Sequence, residues 1–243
     1  MAKRAATLLT IHALIAASAL LSPNASHGQA KQYALESVAG LRMHNVTAVP
    51  ATLDGKKGLR ITVSDEDAAR FQRMTPEERN LFEQLAVIEV LDFSSGIIEA
   101  EIAGVPAPGA AEGARGFVGI AFRLQDDMKA YDAFYLRPTN GRAEDQERRN
   151  HATQYVSHPE WPWFRLRSET PSKYESYVDL VPGAWTKIKI EVRGDKARLY
   201  VHDGQHPVLI VNDVKSGAQK KGAIALWLGP GTIGHFRNLV VTP

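Results

Sequence analysis

The stretch Gly116-Phe-Val-Gly-Ile-Ala-Phe-Arg123, with Ala133-Phe-Tyr-Leu-Arg137 after it, decides how this chain folds. Each is a short, mostly apolar run, and the acids Asp126 and Asp127 between them mark a turn. Working outward, the same unit recurs from about Leu41 to the C-terminus, as apolar runs of strand length divided by Gly, Pro, Asn and Asp. That rhythm is the signature of an all-β sandwich or barrel. The clearest strands are expected at 58–63, 97–102, 116–123, 133–137, 163–167, 174–179, 186–192, 197–202, 223–228 and 236–241, enough for two packed sheets. One short helical insertion is expected near 65–85. Thr75 offers an N-cap, Pro76 the first helical position and Glu78 a capping-box acid, with Leu81, Phe82 and Leu85 at helical spacing behind them. A further helical turn or two fits 65–72, and the insertion reads as cover for a sheet edge.

The chain has 243 residues, no cysteine and a formal charge of +2. Lys3 and Arg4 precede an apolar run from Ala5 to Leu21, followed by Ser22, Pro23 and small or polar residues down to Ala30. This is the layout of a secretory signal peptide over 1–30; the run is short, and broken by His12, for a bilayer span of about 20 apolar residues. Cleavage after Ala30 leaves 31–243 as one domain. It removes Lys3 and Arg4 from the 29 Lys+Arg, and the 27 that remain equal the 27 Asp+Glu. A neutral domain carries no electrostatic footprint for nucleic acid, so none is expected as a partner, nor a membrane once the leader is gone. The expected location is outside the cytoplasm, periplasmic or secreted. Without disulfides such a domain relies on its core, and roughly 200 residues suffice to bury one.

The run Phe93-Ser-Ser-Gly-Ile-Ile-Glu-Ala-Glu-Ile-Ala-Gly104 resembles the opening strand of concanavalin A-like sugar-processing domains. It is followed in order by Gly116–Arg123, Ala133–Pro138, Gln154-Tyr155, Gly183-Ala-Trp-Thr-Lys-Ile-Lys-Ile190, Ala197-Arg-Leu-Tyr-Val201, Gly222-Ala-Ile-Ala-Leu-Trp227 and His235-Phe-Arg-Asn-Leu239. Together these are similar to the concanavalin A-like lectin and glucanase superfamily, and within it to exported bacterial proteins of the keto-disaccharide hydrolase-like, loosely family-sixteen glycoside hydrolase-like, group. The resemblance implies a two-sheet jelly roll with one concave sheet that binds ligands. It does not extend to the Glu-x-Asp-x-Glu strand of the family-sixteen glucanases, which this sequence lacks. Glu99 and Glu101 share one strand face but belong to the generic opening strand.

Successive side chains of a strand point to opposite faces. Phe122, Phe134, Leu136, Phe164 and Leu166 form a natural core set, which turns Arg123, Tyr135, Arg137, Trp163, Arg165 and Arg167 toward a shared opposite face. Guanidinium forks and flat rings together suit a hydroxylated, ring-shaped ligand such as a saccharide. The polar region 139–179 adds Gln154, Tyr155, Trp161 and Tyr177 as binding candidates, and His151 and Glu175 as groups able to carry protons. Trp161 and Trp163 serve either as cleft walls or as the closure of the sandwich end. His158 reads as an ordinary surface histidine, and its spacing from His151 fits no zinc motif. No cofactor is expected, with Asp126, Asp127 and Asp132 as the calcium candidates. Neither a phosphate cradle nor a Gly-x-Ser-x-Gly elbow is present.

Three classes of function fit these residues. One is a glycoside hydrolase or lyase, for which the resemblance suggests a 3-keto-glycoside and the acidified C–H beside its carbonyl. Another is a non-catalytic carbohydrate-binding domain using the same surface. The third is an exported structural sandwich with no sugar ligand.

Overall fold

In the computed structural model, which describes residues 29–79, 82–89 and 91–243, two antiparallel sheets pack face to face. One runs β13 (Leu209–Val211), β12 (Lys196–Val201), β11 (Thr186–Arg193), β6 (Gly96–Pro106), β15 (Thr232–Thr242), β4 (Lys56–Thr62) and β3 (Thr47–Leu53), with β1 (Lys31–Tyr33) pairing the far end of β15. The other runs β10 (Glu175–Ser176), β9 (Thr153–His158), β8 (Tyr131–Leu136), β7 (Val118–Leu124), β14 (Ala223–Leu228), β5 (Gln84–Ile88) and β2 (Leu41–His44). Among the described residues, four short α-helices decorate the sandwich: α1 (Asp65–Arg73), α2 (Pro76–Arg79), α3 (Gln146–Asn150) and α4 (Trp163–Glu169).

The two sheets bury themselves differently, and the difference locates the site. In β11, Thr186, Ile188, Ile190 and Val192 are buried while the residues between them reach solvent, as expected of a sheet with one wet face. In β5, β7 and β8 every residue is buried. Their inward residues, among them Ile120, Phe122, Phe134 and Leu136, meet Ile98, Ile102, Ile190 and Phe236 of the opposite sheet in the core. Their outward residues are buried because helices and loops stand over that face.

Several expectations change in register. The segment expected as a strand at 163–167 is α4, with Pro162 at its N-cap and Leu166 as its buried residue. A Trp-Phe-Arg-Leu-Arg run satisfies period 2, but it also places Trp163 and Arg167 one helical turn apart. β9 takes the strand position instead, paired with β8 from Leu136↔Thr153 to Tyr131↔His158. The strand expected at 174–179 shrinks to the two residues of β10. In the insertion, Thr75 and Glu78 form the capping box, with Thr75 N donating to Glu78 Oε2 at 2.8 Å and Glu78 N to Thr75 Oγ1 at 3.2 Å. The helix does not continue to 85, because Gln84 and Leu85 open β5 against Leu228 and Trp227. Leu81 and residues 1–28 of the expected leader lie outside the described residues. Among the described residues no helix is long and apolar enough to cross a membrane.

Candidate functional site

The outward face of β8 and β9 follows from alternation. Tyr131, Ala133 and Tyr135 stand in register with His158, Val156 and Gln154. On the other side of β8, Gly119 of β7 is opposite both Tyr135 and Trp227 of β14. Because Gly119 has no side chain, these two rings meet with centroids 4.7 Å apart and planes inclined by 22°. A Cβ at 119 would lie 2.6 Å from Tyr135 Cβ and closer still to Phe134 O. Around this floor stand Ala68 and Phe71 of α1, Trp163, Phe164 and Arg167 of α4, and the loops at 107–115 and 230–232. They enclose an open cleft of about 1060 Å³. Trp163, 42% exposed, and Phe164 form its aromatic rim.

At one end of the floor, Arg137 holds the cleft wall together. Its Nη1 donates to Glu175 Oε1 at 3.2 Å and to His151 O at 3.0 Å, and its Nη2 to Gln154 Oε1 at 2.9 Å and Tyr135 Oη at 3.0 Å. Arg167 reaches the same carboxylate, donating from Nε to Glu175 Oε2 at 2.9 Å and from Nη2 to Oε1. Both Glu175 oxygens are therefore occupied, and Glu175 stands behind the guanidinium groups as their anchor. His151 Nδ1 lies 3.0 Å from Glu175 Oε2, but the alignment is poor and this buried nitrogen has no hydrogen-bond partner. Burial pushes the His151 pKa below its ordinary value; Glu175 opposes the shift, and Arg167 and Arg137 add to it.

Elsewhere in the cleft a second carboxylate is held differently. Glu83, just before β5, accepts from Tyr131 Oη through Oε2, and its Oε1 is 2.8 Å from His158 Nδ1. Trp227 Nε1 donates to Tyr131 Oη at 2.9 Å, and the Tyr131 and His158 rings stack at 5.0 Å. Burial, and then the neighbouring Glu83, push the Tyr131 pKa well above its ordinary value.

Five of the residues expected at a site line this cleft: Tyr135, Arg137, His151, Trp163 and Arg167. Glu175 and Gln154 support them from behind. The structure places the other five elsewhere. Arg123 is fully buried, and its donors make five hydrogen bonds, to Ser94 O twice, Gly194 O, Gly217 O and Ser216 Oγ. Its φ of +57°, beside the register shift between Ala223 and Ala225, breaks the alternation that would have turned it outward. Tyr155 points into the core, where its hydroxyl donates to Asp132 Oδ1 at 2.6 Å. The Trp161 ring is engaged by two cations, with the Arg165 guanidinium 3.9 Å and Lys215 Nζ 4.6 Å from its centroid. Arg165 pairs with Glu169 on the outer side of α4, and Tyr177 is an exposed partner of Arg149.

Sequence reasoning passed over Glu83, Gln84, His158 and Thr232 as site residues. Their only sequence signal is polarity at positions in or beside strands that the structure buries or half-buries. Asp127 Oδ1 accepts from Lys129 N and Ala130 N, which with burial opposing holds its carboxyl below the ordinary range. Asp132 is engaged by Tyr155 and Ser216. Among the described residues no group of three His, Cys, Asp or Glu side chains gathers as a metal site.

No protein-family model matches the chain, and no curated protein matches it. Among solved structures, a Bacillus subtilis protein with a galectin-like fold superposes with a TM-score of 0.55 at 13% identity, over 89% of this chain and 96% of the other. The carbohydrate-binding module CBM66 from Bacillus subtilis gives a TM-score of 0.50 at 13% identity, over 82% of this chain and 97% of the other. At such identities the likeness speaks for the fold, which is a two-sheet, lectin-type jelly roll.

Proposed function

We propose that the cleft over the seven-stranded sheet binds a saccharide and that the protein acts on it as an exported glycoside hydrolase or lyase, with a 3-keto-glycoside as the substrate to test first. One observation carries the binding. Of the five buried side-chain N/O atoms without a partner among the described residues, three belong to cleft-lining residues: Gln84 Oε1, Thr232 Oγ1 and His151 Nδ1. Each such atom costs about 1–3 kcal/mol when left unsatisfied. Small rotations of the Gln84 and Thr232 side chains bring their oxygens to the hydroxyls of a ligand in the cleft, while its apolar ring face packs on the rim formed by Trp163 and Phe164. The tight packing of Glu175 with Arg137 and Arg167 fits a role in holding the wall behind the sugar. The resemblance to keto-disaccharide hydrolase-like proteins supports the choice of substrate. The name of the CBM66 structure favours a second reading, a binding domain without turnover.

The test is a thermal-shift and calorimetry series with neutral mono- and disaccharides, on wild type and Trp163→Ala. Saccharide-dependent stabilisation that weakens in the variant supports the reading. Absence of any shift across the series returns the protein to the class of structural sandwiches.

A further inference from the structure

Glu83 is 5% exposed, and among the described residues no Lys or Arg forms an ion pair with it; its one titratable cation partner is His158. A carboxylate only accepts hydrogen bonds, so the 2.8 Å contact from His158 Nδ1 to Glu83 Oε1 places the imidazole proton on Nδ1. Tyr131 fixes both partners, donating its hydroxyl to the other Glu83 oxygen while its ring stacks under the imidazole. Trp227 Nε1 in turn occupies the Tyr131 oxygen at 2.9 Å. His158 Nε2 is thereby left with its lone pair and no protein partner among the described residues, on a ring that lines the cleft. Gln84 Oε1 and Thr232 Oγ1 are also unpartnered, each in a residue 2% exposed that lines the same cleft.

We propose that His158, oriented by Glu83, is the proton-transfer residue of this cleft. The proposal rests on the cleft being a saccharide site. Nε2 removes the proton from a ring carbon next to a carbonyl group of the bound sugar. The electron pair left on that carbon forms the enolate and then expels the neighbouring glycosidic oxygen as its C–O bond breaks. The imidazolium returns the proton from Nε2 to that departing oxygen. The sum is an elimination, with no water, metal or redox partner consumed. Glu83 is a positioning residue: it fixes the tautomer and lies beside the positive charge that forms on the ring.

The experiment follows release of 4-nitrophenolate from 4-nitrophenyl 3-keto-β-glucoside, alongside sugar-induced thermal shifts. His158→Ala is expected to lose about 100-fold or more in kcat with KM little changed, and added imidazole to restore part of the rate. Glu83→Gln should lower kcat by about 10- to 100-fold with KM little changed. Wild-type rates in His158→Ala overturn the proposal, as does a wild type that shows sugar-induced shifts without turnover; in that second case the saccharide site stands. No turnover together with no shift removes both. Should the variants fail to fold, long-range ¹⁵N–¹H spectra of labelled wild-type protein decide the geometry. A His158 proton on Nδ1 supports the assignment, and one on Nε2 overturns it.

Discussion

Replacing Gly119 by alanine tests the construction of the cleft floor with one added methyl group. In register, Gly119 lies between Tyr135 and Trp227, and the new Cβ falls 2.6 Å from Tyr135 Cβ. That atom belongs to the root of a side chain pinned by Arg137 and stacked on Trp227, so no flexible tip can yield. Overpacking a closed interior costs about 1–3 kcal/mol, and opening the aromatic pair adds about 0.5–1.5 kcal/mol. The sum, about 2–4 kcal/mol, lowers the melting temperature by roughly 5–15 °C for a domain of this size. It also moves Trp227 relative to Tyr131, so near-ultraviolet circular dichroism changes and the sugar-dependent shift weakens. Gly113→Ala is the stability control, since nothing lies within 4 Å of its added Cβ and it should stay within about 0.5 kcal/mol of wild type. Gly119→Ala melting with the control, with its aromatic dichroism intact, would refute the view that this glycine exists to let the two rings meet.

Arg123→Met should cost about 3–5 kcal/mol in urea unfolding, because it removes five hydrogen bonds made by a fully buried guanidinium, yet leave saccharide affinity unchanged. Trp163→Ala should melt within a few degrees of wild type, its ring being well exposed, while calorimetry shows affinity weakened about 3- to 10-fold. His44, His151 and His235 are each held below the ordinary histidine pKa, chiefly by burial. The unfolded chain therefore takes up their protons first: stability is level above about pH 6.5 and falls as pH drops from there toward the folded values. Unfolding curves at several pH values check that slope, and Arg167→Met should move the NMR titration of His151 upward, since the guanidinium opposes the imidazolium.

What the sequence disclosed followed from what strand periodicity can carry. Runs such as Thr186–Arg193 and Ala223–Leu228 read correctly as strands because each has strand length and clear punctuation. Tyr135 and Arg137 could be put on one face because alternation holds through β8. The same rule failed where the backbone departs from it. Arg123 adopts a left-handed conformation at an irregular pairing, and Pro162 starts a helix where the side-chain pattern alone permitted a strand. Tyr155 was misplaced because β9 itself was not recognised, so its parity relative to Phe134 was unknown; the two rings in fact pack at 5.4 Å in the core. Glu83 and His158 stand 75 positions apart in the chain, and no local pattern connects residues at that separation.

The two carboxylates associated with the cleft show why burial and polarity alone do not identify a reactive group. Glu175 faces two guanidinium groups, permanent cations that bring several fixed donors to it. Such a cluster holds a wall in place, with both oxygens of Glu175 already engaged by guanidinium donors. Glu83 faces an imidazole and a phenol, both of which carry protons that can move, and of these only the imidazole has a second, unoccupied nitrogen toward the cleft. Exchanging the Glu175 cluster for an apolar one of equal volume is therefore a question of stability. Exchanging Glu83 for glutamine keeps a group of the same shape beside His158 but removes the charge that favours an imidazolium. Its effect on turnover accordingly belongs in kcat, and because glutamine keeps one acceptor where Glu83 serves both the Nδ1 proton and the Tyr131 hydroxyl, a fall in stability of about 1–3 kcal/mol accompanies it.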